Sequence, residues 1–383
     1  MTETRFINAR VVTPDAVIDA GLVVAEGQIV GIEPNLAKSA GAIDLRGDLL
    51  ITGLIDIHTD NLERHFEPRP GVRWDSLGAV LAHDSQMVGA GITTVFDSLS
   101  LHGHRKGFDR TAALSPMIAS LNAAREENIL RADHFLHLRC EVRDPELLRA
   151  LETYLDDPLL KLLSLMDHSP GQRQYRNLGE EETRQHAIDI GNTGEDIETT
   201  IASWRQRIPD ACTQDNWRAV VEIAHERGLP LATHDDEQVE HVHQAKRDGA
   251  VISEFPVTIE AAAEAVRQNL AVFMGAPNLI RGGSHSGNVS VAEVASAGYL
   301  HGLASDYVPM SLLRAAFRLT EAPFLMPLPV AIATVTATPA RVTGLVDRGE
   351  IAVGKRADLV RVALSQDGWP VVRGVWHQGR RVG

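Results

Sequence analysis

A chain of 383 residues, 44% of them hydrophobic and with 31 Gly and 18 Pro, is neither disordered nor fibrous in composition, and it has the length for one barrel of roughly 250 residues plus a smaller appended unit. A formal net charge of -14, from 37 Lys plus Arg against 51 Asp plus Glu, argues against a nucleic-acid surface and leaves any attraction for an anionic ligand to local groups. Two cysteines, Cys140 and Cys212, exclude a disulfide framework and point to a reducing compartment.

The first residues, MTETRFINARVV, lack the basic and apolar regions of a signal peptide, and no stretch reaches the roughly 20 apolar residues of a membrane span, so a cytoplasmic protein is expected. Residues 4–50 then alternate apolar and polar positions in short pieces (RFINARVV, AGLVVAEGQIVGIEP, AIDLRGDLLI), the period-2 texture of small strands. The tail from Gly349 reads the same way. Neither end has enough strands for a stable sheet alone, so 1–50 and 345–383 are expected to pair into one β-subdomain, with 51–344 forming a barrel.

Beyond residue 50, short apolar runs alternate with helical patterns, as in βα units around a parallel sheet. The strand candidates are GLIDIHTD (53–60), GITTVFDS (91–98), HFLHLRCE (134–141), LLSLMDHS (162–169), LPLATHDD (229–236), VISEFP (251–256), AVFMGAPN (271–278) and LASDYVP (303–309). Eight is the number that closes a barrel. Stretches such as SLGAVLAHDSQMVGAG and TIEAAAEAVRQN carry apolar faces at helical spacing between them. The acidic insertion from Arg173 to Ile208 reads either as a lid over the barrel mouth or as a solvated helix.

Polar groups fall at the C-terminal ends of separate strand candidates: His58 and Asp60, Glu141, Asp167 and His168, His234, Glu254, and Asp306. That end of a (β/α)8 barrel builds the active site. His58 and Asp60, two apart, project to one side and suit zinc or a similar divalent ion, although an H-x-D triplet alone is more often a solvated turn. Just downstream, Arg64, Arg69 and Arg73 read as phosphate grips or as plain surface arginines on a Pro-flanked loop. Glu141 ends an apolar run, where a carboxylate needs a cation: a metal, or a guanidinium, with Arg139 better placed than Arg143. His168 joins the candidate site. Most of the remaining histidines, a group that includes His83 and His137, read as ordinary. After strand seven, Gly282, Gly283 and Gly287 surround Ser284, His285 and Ser286, and Ser290 with Glu293 forms a capping box opening a helix. Free N–H groups at such a helix start, with Arg281 as a fork donor, suit a phosphate, and barrels often bind phosphate in this region. Asp306 is placed both to ligate a metal and to accept the proton of an attacking water; the alternative is a turn aspartate.

Together HTDNLERHFEPRPGVRW, AGITTVFDSLS, HLRCE, SLMDHSPGQRQ, THDDE, EFPVTIEAA, MGAPNLIRGGSHSGN, ASDYVP and GKRADLV resemble the PhnM family of diphosphatases of the bacterial carbon–phosphorus lyase pathway, over nearly the whole chain. The resemblance implies a (β/α)8 TIM barrel of amidohydrolase type with a small β-sandwich subdomain built from both chain ends. It also implies hydrolysis of α-D-ribose 1-methylphosphonate 5-triphosphate to the 5-phosphate and diphosphate. The expected cofactor is divalent metal, one or two ions, zinc first with manganese or iron as alternatives. The expected partner is the small-molecule sugar triphosphate, with no nucleic acid and no membrane; a homo-oligomer is left open. The superfamily usually carries H-x-H on strand one, a carbamylated Lys or a Glu as bridge, His on strands five and six, and Asp on strand eight. Here Asp60 replaces the second His and Glu254 stands where strand six would give His, so Glu141 and His168 are taken as substitute ligands beside His58, Asp60, His234 and Asp306. Arg64, Arg69, Arg281, Gly282, Gly283 and His285 are taken as substrate-binding.

Two rival readings remain at this point. A cyclic-amide hydrolase or deaminase on the same barrel explains the metal residues and leaves the arginine and glycine–histidine clusters idle. A non-catalytic subunit of a phosphonate-processing assembly predicts a degraded metal site.

Overall fold

The computed structural model describes residues 3–34, 36, 41–69, 71–101, 104–105, 108–168, 173–176, 179–189, 197–199, 201–202, 211–283 and 287–383. The N-terminal alternation folds into strands β1 (Glu3–Val12), β2 (Val17–Ala25), β3 (Gln28–Glu33), β4 (Ile43–Asp44) and β5 (Leu49–Thr52). Then come β6 (Leu54–Thr59), β7 (Ile92–Ser100), the short pair β8 (His104–Arg105) and β9 (Phe108–Asp109), β10 (Asp133–Glu141), β11 (Leu160–Met166), β12 (Leu231–His234), β13 (Ile252–Glu254), β14 (Ala271–Gly275) and β15 (Gly302–Ala304). The tail supplies β16 (Leu359–Leu364), β17 (Pro370–His377) and β18 (Arg380–Arg381).

The two chain ends share one sheet, ordered β18-β17-β16-β5-β1-β2-β3, with β4 also on β1. Its edge strand β3 reaches the approach to β16 through a bridge between Gln28 and Arg356, so the sheet closes over its own small core of Phe6, Leu22, Ile29, Leu50, Leu359 and Trp376. The chain passes from this sheet into the barrel at Gly53. A Cβ there would lie 2.0 Å from the Thr93 hydroxyl, which leaves room only for glycine.

The barrel strands run parallel in the order β6-β7-β10-β11-β12-β13-β14-β15. Each lies within, or overlaps, one of the apolar runs expected from the sequence. The ring closes through a parallel bridge between Thr59 and Asp306: the Asp306 amide donates to the His58 carbonyl at 3.0 Å, and the Asp60 amide donates to the Asp306 carbonyl at 3.1 Å. Inside, Ile55, Ile57, Phe96, Leu162, Ile252 and Phe273 plug the lower layers. Outward-facing residues such as Leu136, Leu138, Cys140, Leu163 and Leu165 meet the helices. Strand alternation therefore stacks an apolar floor beneath a polar mouth.

Below the barrel, Asp133 at the start of β10 is held by Arg348, by Arg356 at 2.7 Å and by His377 at 3.1 Å, tying the barrel to the terminal sheet. Among the described residues no helix is long and apolar enough to cross a membrane.

Candidate metal centre

Strand β10 carries His137, Arg139 and Glu141 at alternate positions, so all three face the barrel interior while Leu138 and Cys140 face the helices. His137 shares its Nδ1 with the Ile57 carbonyl at 2.9 Å and the Ser98 hydroxyl at 3.0 Å, which orients the ring and turns Nε2 toward Glu254 Oε2, 3.9 Å away. Strand β6 contributes His58 through a bulge: Asp56 pairs with Val95 but Thr59 pairs with Asp97, three steps against two. The extra residue re-aims the chain, so that Ile57 belongs to the interior plug and His58 also reaches inward.

Glu254, fully buried at the end of β13, lies between two imidazoles: Oε1 is 3.3 Å from His58 Nδ1 and Oε2 is 3.3 Å from His234 Nδ1. His58, His137 and Glu254 thus offer one set of convergent ligand atoms, and His168, His234 and Asp235 offer a second. In the second, Asp235 Oδ2 stands 3.5 Å from His234 Nε2 and 3.6 Å from His168 Nε2, while Glu141 holds His168 Nδ1 at 2.9 Å. His234 touches both sets. Phe255 packs edge-on against the His58 and His234 rings at 5.0 and 5.2 Å.

Asp235, Phe255 and Asp306, each just beyond a strand end, adopt the left-handed backbone region, with φ of 57°, 54° and 55°. Phe gains nothing there from its side chain, so this strain is held by the surrounding structure, as at many functional sites.

Burial pushes His58 and His234 well below the ordinary histidine value; the positive charge of Arg139 opposes protonation of both, while the Glu254 bond only partly offsets the drop at His234. Burial likewise lowers His137 to about 4. All three present neutral imidazoles at pH 7. His168 behaves oppositely: burial lowers it, but the nearby Asp235 carboxylate and the bonded Glu141 carboxylate outweigh that and raise it to about 9. Asp306 is raised to about 7 by burial first and then by the neighbouring Asp60. Among the buried polar atoms without a hydrogen-bond partner are His137 Nε2, Asp60 Oδ1 and Asp235 Oδ2. Orphaned lone pairs on buried nitrogen and oxygen, gathered at one mouth, are what a divalent ion satisfies, so the residues fit a metal.

Of the residues singled out from the sequence, His58, His234, Glu141 and His168 gather here. Asp60 and Asp306 lie side by side at the seam between first and last strands, outside the two three-residue sets. His137, Glu254 and Asp235 complete those sets. Glu141 bonds His168 rather than Arg139. At the rim, the exposed Arg64 and Arg281 both meet Tyr307, donating to its carbonyl and its hydroxyl at 3.3 Å, while Arg69 is exposed on the following turn. The Gly282 and Gly283 amides both donate to the Asn278 carbonyl, closing the helix Ala276–Arg281, and the Ser290 and Glu293 side chains cap the next helix reciprocally. The expectation that these amides stand free for phosphate is therefore corrected, because the helix ends consume them. His285, with Ser284 and Ser286, lies outside the described residues. The insertion begins at the mouth: Arg173 donates to the His234 carbonyl at 2.7 Å and pairs with Asp236, and Tyr175 sits edge-on to His168 at 5.7 Å.

A third buried set, His83, Asp97 and His134, is joined through both oxygens of Asp97. Asp97 accepts from His83 at 2.6 Å and from His134 at 2.8 Å, and Asp84 lies 3.5 Å from the other His134 nitrogen. The two Asp97 contacts are hydrogen-bond lengths in a charged network.

The model of the amidohydrolase family matches residues 85–382. The chain is 39% identical over 376 residues, covering 98% of it and 99% of its relative, to the α-D-ribose 1-methylphosphonate 5-triphosphate diphosphatase of Escherichia coli (strain K12). Among solved structures, N-acetylglucosamine-6-phosphate deacetylase from Pasteurella multocida matches at a TM-score of 0.64 and 14% identity, with 100% of each chain covered. N-isopropylammelide isopropylaminohydrolase from Burkholderia multivorans matches at 0.64 and 16%, covering 100% of this chain and 98% of that one. At such identities the last two speak for the fold alone.

Proposed function

The chain belongs to the amidohydrolase family, and from that premise we propose that it hydrolyses α-D-ribose 1-methylphosphonate 5-triphosphate to the 5-phosphate and diphosphate. The observation that carries the reading is the pair of ligand sets meeting at His234 in a chain so closely related, over its whole length, to a diphosphatase of that name. His58, His137 and Glu254 would hold one ion, and His168, His234 and Asp235 a second, with Glu254 placed to lean toward either. Imidazole and carboxylate donors favour zinc and accept manganese or iron. When bound, a divalent ion supplies Lewis acidity toward water and phosphoryl oxygen.

The chain's own residues do the rest. Asp306, beside Asp60 at the closing seam, takes the proton of the attacking water. Its burial makes it a stronger base than an exposed aspartate. Phe255 walls the His58 and His234 rings from one side, which lowers the local dielectric and strengthens every charge interaction there. Arg64 and Arg281, gathered at Tyr307 on the rim, lie where the outer phosphates reach, so they offset the charge that builds on departing diphosphate. A leaving group of that kind needs charge compensation more than protonation. With the ribose toward solvent and the outer phosphates at the rim arginines, water attacks the α phosphorus. Hydrolysis in oxygen-18 water tests this, with label expected in the sugar 5-phosphate. Label confined to diphosphate would place the attack at the β phosphorus and overturn the orientation.

A further inference from the structure

Arg139 occupies the middle inward position of β10, one alternation above the ligand His137 and one below Glu141. Its Nε–H meets only the Met166 sulfur, at 3.2 Å, and it makes no ion pair among the described residues. The carboxylate nearest it along the strand, Glu141, is taken by His168. Arg173 at the same mouth is committed to His234 and Asp236, and Arg64 and Arg281 stay at the exposed rim. A half-buried guanidinium so close to ligand imidazoles opposes the entry of divalent cations, because like charges repel strongly where water is scarce. Its presence there is favourable once an anion lies between it and the metal. A guanidinium fork matches two oxygens of a phosphoryl group, and both Nη groups of Arg139 are without a partner among the described residues.

We propose that Arg139 grips the non-bridging oxygens of the phosphoryl group under attack, a substrate contact at ligand depth that the rim arginines cannot make. The inference rests on the phosphohydrolase reading above and assigns Arg139 to the α phosphate, leaving the outer phosphates to Arg64 and Arg281. It requires the sugar 5-phosphate product to touch Arg139 and free diphosphate to depend on it far less.

The test is calorimetric titration of metal-loaded protein with ribose 5-phosphate and, separately, with inorganic diphosphate, alongside metal analysis. Arg139→Gln is expected to retain its metal, to bind ribose 5-phosphate roughly ten- to a hundredfold more weakly, and to bind diphosphate nearly as the parent does. Arg281→Ala is expected to reverse the two effects. Unchanged affinity for ribose 5-phosphate, or loss of metal from the variant, overturns the proposal. Should Arg139→Gln fold poorly, Arg139→Met, of similar length beside Met166, is read against the same two outcomes. Because binding is measured apart from turnover, a protein that binds ribose 5-phosphate through Arg139 yet releases no diphosphate from the triphosphate upholds this contact and removes the assigned reaction.

Discussion

Replacing His58, His137 or His234 by alanine removes an imidazole that burial already keeps neutral and aimed at the mouth. Each variant is expected to lose bound metal and activity together. Metal analysis with a diphosphate-release assay checks this, and full activity without added metal in any of the three would remove that residue from the centre. Asp306→Asn should differ, since the amide cannot take a proton: we expect kcat to fall by about two to four orders of magnitude with the fold retained, and a change confined to KM would contradict the role. His58, His234 and Asp306 were legible as polar groups ending apolar runs. His137 was not, because it lies four residues inside its strand. The signal that finds it is the period of two counted back from Glu141. Glu254 is visible at its strand end but stands where the superfamily pattern calls for an imidazole, and only the packed barrel brings it between His58 and His234.

At the level of elements, the eight barrel strands were readable because parallel strands buried on both faces form short continuous apolar runs. The bulge in β6 was not, since it exists only in the pairing of Asp56 and Thr59 with β7. Nor could the bonding of the Gly282 and Gly283 amides be read, because glycine closing a helix and glycine cradling a phosphate look alike in sequence. Between β7, β10 and the helix Ser76–Gly89, burial would lower His134, but Asp97 and Asp84 prevail and raise it to about 10 from an ordinary 6.5. A raised folded value means that this stabilisation is complete below about 6.5 and is lost as pH climbs through about 10. His134→Asn is expected to lose roughly 3–5 kcal/mol near neutral pH, as when one partner of a buried pair is removed, and to lose the parent's decline between those limits. Denaturant melts of metal-loaded protein across that range measure both, and parallel curves for parent and variant would contradict the assignment.

In the molecule as a whole, a body of net charge -14 acts on an anion only through what it concentrates at one mouth. Asp60, Glu141, Asp235, Glu254 and Asp306 crowd that mouth, so stripping the metal leaves mutual repulsion uncompensated. Chelation is therefore expected to lower thermal stability, by about 3–4 kcal/mol if the ion was present at a hundred to a thousand times its dissociation constant. An unchanged melting temperature would argue that the sets hold no ion. The pairing of the two chain ends was foreseeable from their shared alternation. The Asp133 cluster that fixes the terminal sheet to the barrel floor was not, as Arg348, Arg356 and His377 lie more than two hundred residues away from it. The central claim is tested most directly by phosphorus-31 NMR of metal-loaded protein acting on α-D-ribose 1-methylphosphonate 5-triphosphate. The expected result is diphosphate and the sugar 5-phosphate appearing in equal amounts, with neither formed by His234→Ala; release of orthophosphate in successive steps, or no phosphorus product at all, would contradict it.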